Sequence, residues 1–237
     1  MFHDFSAQLV EKTNLAGQVW KFRFKIDGEP LVFTAGQYVL LCVQDKVRQY
    51  SISSSSLQGE TLDLIVEYFP GGLASEYLKI LQNGDSAQFK GPAGVFILRN
   101  TPLNKLFLAT GTGIAPEKSM IETYLTIGGA ARLYLFFGLK TRGDVYLAEE
   151  FQSLANRHKN FSYTYCLSRE KSLEGLEGEG FMQGHVQDAV NNFMQYGNPA
   201  DFEYYVCGNK DVVEVLKTYA SSIGGLPEKI FFEKFTV

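Results

Sequence analysis

The hydrophobic period of this chain changes once, near residue 100, and that change limits the fold more than any other feature. Before it the period is two. Trp20, Phe22, Phe24 and Ile26 alternate with Lys21, Arg23 and Lys25, as on a strand with one buried face. Residues 38–43 form a second apolar run, and Leu62, Leu64 and Val66 alternate against Asp63 and Glu67 in a third. Asp27-Gly28, Gln58-Gly59 and Asn83-Gly84-Asp85 supply turns between such runs. Short strands at this spacing imply a closed antiparallel barrel, interrupted by a helix over 73–81 with Tyr77, Leu78 and Leu81 on one face. After Pro102 strands and helices alternate: strands at 106–109, 132–137, 161–167, 204–207 and 230–235, helices at 115–126, 148–158, 186–196 and 212–221. That order implies a parallel sheet covered on both faces. The boundary falls within 99–104. It gives domains of residues 1–100 and 101–237, a comfortable division of 237 residues.

Composition narrows the function. Net charge is −4 without a long basic run, so nucleic-acid binding has no electrostatic support. The apolar runs are too short to span a bilayer, and Met1-Phe2-His3-Asp4 does not open a signal peptide. Cys42, Cys166 and Cys207 lack the spacing of an iron–sulfur cluster, and His3, His158 and His185 lack that of a metal site. Scattered cysteines suit a reducing compartment, so a cytoplasmic protein is expected. Aromatic residues make up 14% of the chain, enough to fill cores and also to offer flat surfaces to a planar ligand.

Six segments carry chemistry. Gly111-Thr112-Gly113-Ile114-Ala115-Pro116 follows a strand and opens a helix, where a glycine backbone lets a pyrophosphate approach the helix N-terminus. It is not GxGxxG, and a tight structural turn would use the same residues. Arg48-Gln49-Tyr50-Ser51 places Arg48 and Tyr50 on one strand face, a guanidinium for a phosphate beside a ring for stacking. A surface Arg and a barrel Tyr would read alike. Pro70-Gly71-Gly72-Leu73-Ala74-Ser75 is either a phosphate cradle or a turn with an N-cap. Gly91-Pro92-Ala93-Gly94-Val95-Phe96 reads as a chain reversal. Cys207-Gly208-Asn209 ends a strand, where ligands of open α/β sheets bind, although a lone Cys also serves as a small core residue. Glu233 and Phe235 stand near the C-terminus.

In this order along one chain, Arg-x-Tyr-Ser, Pro-Gly-Gly-x-x-Ser, Gly-Pro-x-Gly, Thr-Gly-Thr-Gly-Ile-Ala-Pro, Cys-Gly and Glu-x-Phe resemble the ferredoxin–NADP⁺ reductase superfamily over nearly the whole length. The resemblance implies a six-stranded antiparallel FAD-binding barrel followed by a five-stranded parallel α/β domain for NAD(P)H. It implies that Arg48 binds the flavin phosphate, that Tyr50 lies against the isoalloxazine and ribityl with Gln49 beside it, and that Ser51 hydrogen-bonds near flavin N5. Gly71, Gly72 and Ser75 would hold the pyrophosphate. Gly111, Thr112 and Gly113 would receive the nicotinamide nucleotide, with Cys207 and Gly208 near its ring. Glu233 matches the acidic residue near the flavin and Phe235 an aromatic that covers it. Ser51, Cys207 and Glu233 are the catalytic candidates for hydride transfer between NAD(P)H and bound FAD.

Two departures stand out. Glu117-Lys118 follows Ala-Pro where the family usually carries an apolar or aromatic residue, and Lys140 replaces a frequent Arg. Ser168-Arg169 resembles the pair that holds the 2′-phosphate of NADPH. NADH-using relatives show it too, so the lean to NADPH is slight. The implied acceptor is a separate ferredoxin, flavodoxin or oxygenase iron–sulfur protein. A reductase of free flavin or dyes is an alternative, and a non-enzymatic nucleotide-binding module is the alternative of another class.

Overall fold

The computed structural model describes residues 2–176, 180–195 and 197–235. By its contacts the chain divides into one unit of Met1–Arg99 with Lys118–Ile127 and a second of Asn100–Glu117 with Gly128–Val237.

The first unit is an antiparallel sheet of β1 (His3–Ala16), β2 (Val19–Ile26), β3 (Tyr38–Val43), β4 (Lys46–Ser51), β5 (Thr61–Glu67) and β6 (Ser86–Ala93). Its order is β4-β3-β6-β1-β2-β5. The Ile52–Leu64 bridge joins the two edges, so the sheet closes as the expected barrel. The inward residues of the alternation meet in one core, where Phe24 and Phe89 cross edge to face with centroids 5.2 Å apart. Helix α1 (Leu73–Ile80) adds Ala74 and Leu78 to that core. The Lys12 ammonium donates to the carbonyls of Leu78, Lys79 and Leu81 at the helix's C-terminal end, a favourable charge for that pole. The segment from Gly91 read as a reversal is instead the end of β6, which continues through Ala93.

The second unit holds β7 (Asn104–Thr110), β8 (Leu133–Leu139), β9 (Phe161–Leu167), β10 (Phe181–Gln183), β11 (Phe202–Asn209) and β12 (Ile230–Phe235), all parallel, in the order β10-β9-β8-β7-β11-β12. Six strands stand where five were expected. The addition, β10, has three residues, too few to display a period; it pairs Phe181 with Tyr165 and Gln183 with Leu167. The connecting helices are α2 (Ile114–Thr126), α3 (Ala148–Arg157), α4 (Val186–Met194) and α5 (Lys210–Ser222). Residue 196, the expected end of α4, lies outside the described residues.

Both faces of this sheet are covered. One packs Leu106, Leu108, Val206 and Cys166 against Val190, Val213 and Leu216. The other is aromatic: Phe107 stacks on Tyr205 at 5.2 Å, and Phe137 meets Tyr165 at 5.4 Å. At the amino ends of β7 and β11, Lys105 and Glu203 are register partners buried to 0% and 3% exposure. Their ion pair measures 2.7 Å, and Thr101 and Tyr205 hydroxyls donate to the same carboxylate.

Candidate nucleotide and flavin sites

In the parallel sheet the chain runs outward through β7, β8, β9 and β10, then returns to place β11 and β12 on the other side of β7. The order reverses between β7 and β11, and ligands of open α/β sheets bind beyond the carboxyl ends of strands at such a point. Gly111–Gly113, one 3₁₀ turn, leaves the end of β7; Cys207 and Gly208 lie at the end of β11. Gly111 has φ +51°, and a side chain there would project into open space. The turn has no side-chain cap, as an anion site needs. The Tyr146 hydroxyl donates to the Gly111 carbonyl at 2.8 Å and steadies the turn. Gly113 has a different task, because a Cβ there would collide with the Cys207 carbonyl. Thr112 between them is half-buried.

Cys207 is wholly buried, and Glu233 is its register partner on β12. Phe235 pairs with Asn209 at the same end, and both Glu233 and Phe235 are half-buried. Burial, then the charges of Glu117 and Glu233, push the Cys207 thiol well above its ordinary value. A neutral thiol is a poor nucleophile. Glu117, in the first turn of α2, has 0% exposure, and neither carboxyl oxygen reaches a hydrogen-bond partner. Burial pushes its titration well above the usual carboxylate range, and the Cys207 backbone N–H, close to the carboxylate but outside hydrogen-bond geometry, offsets this in part. The sequence marked Glu117 as a departure, and nothing in it foretold this depth.

Ser168 and Arg169 follow β9, two strands from β7. The Ser168 hydroxyl donates to the Leu139 carbonyl, while the Arg169 side chain is exposed. Arg142 is tied nearby: its side chain donates to the Ser172 and Glu174 carbonyls and pairs with Glu170 at 3.4 Å. Sequence reasoning did not single out Tyr146 or Arg142, since neither lies in a spaced motif.

In the barrel, Arg48, Gln49, Tyr50 and Ser51 occupy edge strand β4. Arg48 and Gln49 are exposed, Tyr50 is half-buried against the core, and Ser51 is buried. Burial pushes the Tyr50 hydroxyl up to about 12 against the opposing charge of Arg48, so Tyr50 is neutral at physiological pH. Gly71 and Gly72 lead into α1, whose N-cap Gly72 has no side-chain cap bond. The Gly71 amide donates to the Glu76 carboxylate at 3.0 Å, and Ser75 Oγ accepts from the Phe69 amide at 3.3 Å. A carboxylate thus sits where a phosphate group would be welcome. The uncapped start of α1 and the exposed Arg48 fit such an anion, while the Gly72 amide itself donates to the Phe69 carbonyl at 3.0 Å.

Residues 6–97 match the family described as oxidoreductase FAD-binding domain, and residues 107–218 match the oxidoreductase NAD-binding domain. Over 233 residues the chain is 33% identical to ferredoxin–NADP reductase B of Sorangium cellulosum, covering 95% of this chain and 94% of that one. The chain belongs to the ferredoxin–NADP reductase superfamily. FAD and a nicotinamide dinucleotide, the two cofactors expected from the sequence, are those of its two matched domains. A second relative of this superfamily member is the toluate 1,2-dioxygenase electron transfer component of Pseudomonas putida, 33% identical over 208 residues. That alignment covers 86% of this chain and 59% of the relative's length. Among solved structures, a cytochrome P450 reductase of Amycolatopsis superposes with a TM-score of 0.90 at 27% identity, covering 100% of this chain and 71% of that one.

Proposed function

We propose that this chain is an NAD(P)H-dependent flavoprotein reductase that delivers electrons to a separate acceptor, a ferredoxin, a flavodoxin or the iron–sulfur protein of an oxygenase. The observation that carries the reading is a pair of glycine-led helix starts without side-chain caps. One is Gly71–Leu73 in the segment matched as FAD-binding, the other Gly111–Ile114 in the segment matched as NAD-binding. Relatives named as a ferredoxin–NADP reductase and as oxygenase electron-transfer components support the choice of acceptors.

FAD, when bound, supplies the conversion of a two-electron donor's equivalents into single electrons. The chain's own residues bind and orient. Residues 1–100 form the flavin domain in this reading, with Arg48 on phosphate, Gly71, Gly72 and Ser75 at the pyrophosphate, and Gln49, Tyr50 and Ser51 along the ring and ribityl. Residues 101–237 form the nucleotide domain, with Gly111, Thr112 and Gly113 receiving the nicotinamide nucleotide, Cys207 and Gly208 at the nicotinamide, and Phe235 as the ring cover. Ser51 and Glu233 give polar support to the reacting centre. Ser168 and exposed Arg169 favour NADPH over NADH, since a guanidinium can fork onto a 2′-phosphate. The three free cysteines and the lack, among the described residues, of a helix long and apolar enough to cross a membrane support a cytoplasmic location.

The test is direct. Purified protein is expected to be yellow or to take up added FAD, and anaerobic NADPH should bleach the flavin absorbance faster than NADH. A colourless protein that binds no FAD refutes the reading in favour of a non-enzymatic module. Flavin lost on gel filtration, with free flavin reduced catalytically, would move the function to a free-flavin reductase.

A further inference from the structure

The Glu117 carboxyl is the one buried side-chain group, among the described residues, whose oxygens both lack a hydrogen-bond partner. Such groups are rare in folded proteins and call for a physical reason. Glu117 lies beside Cys207, and Cys207 lies near the carboxyl end of β11 at the reversal of strand order, next to the Gly111–Gly113 turn. The titratable groups facing it there are the Cys207 thiol from β11 and, behind it, the Glu233 carboxylate from β12. On its own helix the adjacent Lys118 is engaged with Glu122 at 2.6 Å. Burial raises the Glu117 titration and the nearby Cys207 backbone N–H opposes it in part. Such enclosure favours the protonated carboxyl, and a positive charge brought close favours the ionised one.

We propose that Glu117 senses the charge of the nicotinamide ring: it holds its proton while a neutral, reduced ring is bound and releases it when the cationic, oxidised ring binds at the strand-order reversal beside Cys207. This rests on the reading of Gly111–Gly113 and Cys207 as the nicotinamide site. The step is acid dissociation alone, with one O–H bond broken, the electron pair left on the carboxylate and the proton passed to water. Its consequence is selective. Binding of the oxidised nucleotide tightens as pH rises, by up to about tenfold per pH unit while the free site is protonated and the occupied one is not. Binding of the neutral-ring form carries no such slope. Glu117 thereby makes release of oxidised nucleotide faster in acid than in base without touching flavin chemistry.

The test uses the FAD-loaded protein, with NADP⁺ as the cationic probe and the redox-inactive tetrahydro-NADPH as the neutral one. Calorimetric titrations in buffers of different ionisation enthalpy count protons. Wild-type protein should release up to about one proton per NADP⁺ bound and none per tetrahydro-NADPH. Glu117→Gln should release none with either, keep its affinity for tetrahydro-NADPH within about twofold, and lose the pH dependence of NADP⁺ affinity. Infrared difference spectra give a second readout: NADP⁺ should bleach a carboxylic-acid C=O stretch in the wild type alone. Equal proton release by both proteins overturns the inference, and so does the absence of that bleach in the wild type, a result that needs no variant. If neither probe binds, the nucleotide-site reading falls and takes this inference with it, an outcome distinct from binding without Glu117-linked proton release.

Discussion

Replacing Glu117 with Gln should stabilise the protein in the absence of nucleotide, and the gain should grow with pH. The side chain has 0% exposure and no hydrogen-bond partner for either oxygen, and burial holds its folded-state titration well above the ordinary value of 4.5. Between those two values the folded protein binds the Glu117 proton and the unfolded chain does not. Stability therefore falls as pH rises through that window, by at most about 1.4 kcal/mol per pH unit. Below 4.5 both states hold the proton and the penalty vanishes. Above the folded value both have lost it and the penalty levels off. Glutamine has nearly the shape of the protonated acid and does not titrate. The difference between Glu117→Gln and wild type should thus be small in mild acid and climb toward the alkaline side with that limiting slope. Urea unfolding followed by far-ultraviolet circular dichroism, at half-unit steps from about pH 5 to about pH 8, measures it. Parallel stability curves, or a variant that weakens relative to wild type as pH rises, would refute the claim that an unpaired, protonated carboxyl lies buried beside Cys207.

Three further outcomes follow from other sites. Lys105→Met strands the buried Glu203 carboxylate and should cost roughly 3–5 kcal/mol, at about 2–4 °C of melting temperature per kcal/mol. The double change Lys105→Met/Glu203→Leu should recover most of that loss, and an additive double variant would show the pair to be uncoupled. Glu76→Gln removes the negative charge from the Gly71 amide and should tighten FAD binding a few-fold, more at low salt; weaker binding in a flavin-fluorescence titration would mean that Glu76 shapes the loop instead. Arg169→Ala should lower the NADPH-to-NADH ratio of kcat/KM by about tenfold or more, the scale of a lost charged hydrogen bond, and an unchanged ratio removes Arg169 from the 2′-phosphate.

The elements that were legible are those whose period survives intact. β2 and β3 lie where alternation and the apolar run put them, and β9 and β12 have the expected limits. β1 is a 14-residue strand that the alternation did not reveal. Its register slips between Leu9 and Glu11 and again between Asn14 and Ala16, and each bulge reverses which parity faces the core. Val10 falls at the first slip and is exposed, beside fully buried Leu9. β6 hid for another reason. Its inward residues include Ala87 and Gly91, which carry little hydrophobic signal, and Gly91-Pro92 is turn composition by any local rule. Such pairings are fixed by partners far along the chain.

The site divides along the same line. Glycine-led helix starts and strand-end residues are local features, so Gly71, Gly111 and Cys207 could be marked before any fold was known. The depth of a charge is not local. On helix α2, Glu117 reads as an acidic residue in a first turn, where the helix dipole alone would welcome it at the surface. It is buried because the strand order reverses between β7 and β11, which sets Cys207 beside the start of α2 from 90 residues downstream. The same register places Lys105 opposite Glu203 at the other end of those strands. There the fold encloses a charge together with its partner and two hydroxyls; at Glu117 it encloses the acid alone. Of these two buried acids, Glu203 on β11 is fully bonded and serves as scaffold, whereas Glu117 on α2 has no partner in hydrogen-bond geometry. The second carries a wholly enclosed carboxyl whose titration burial holds above the ordinary carboxylate range.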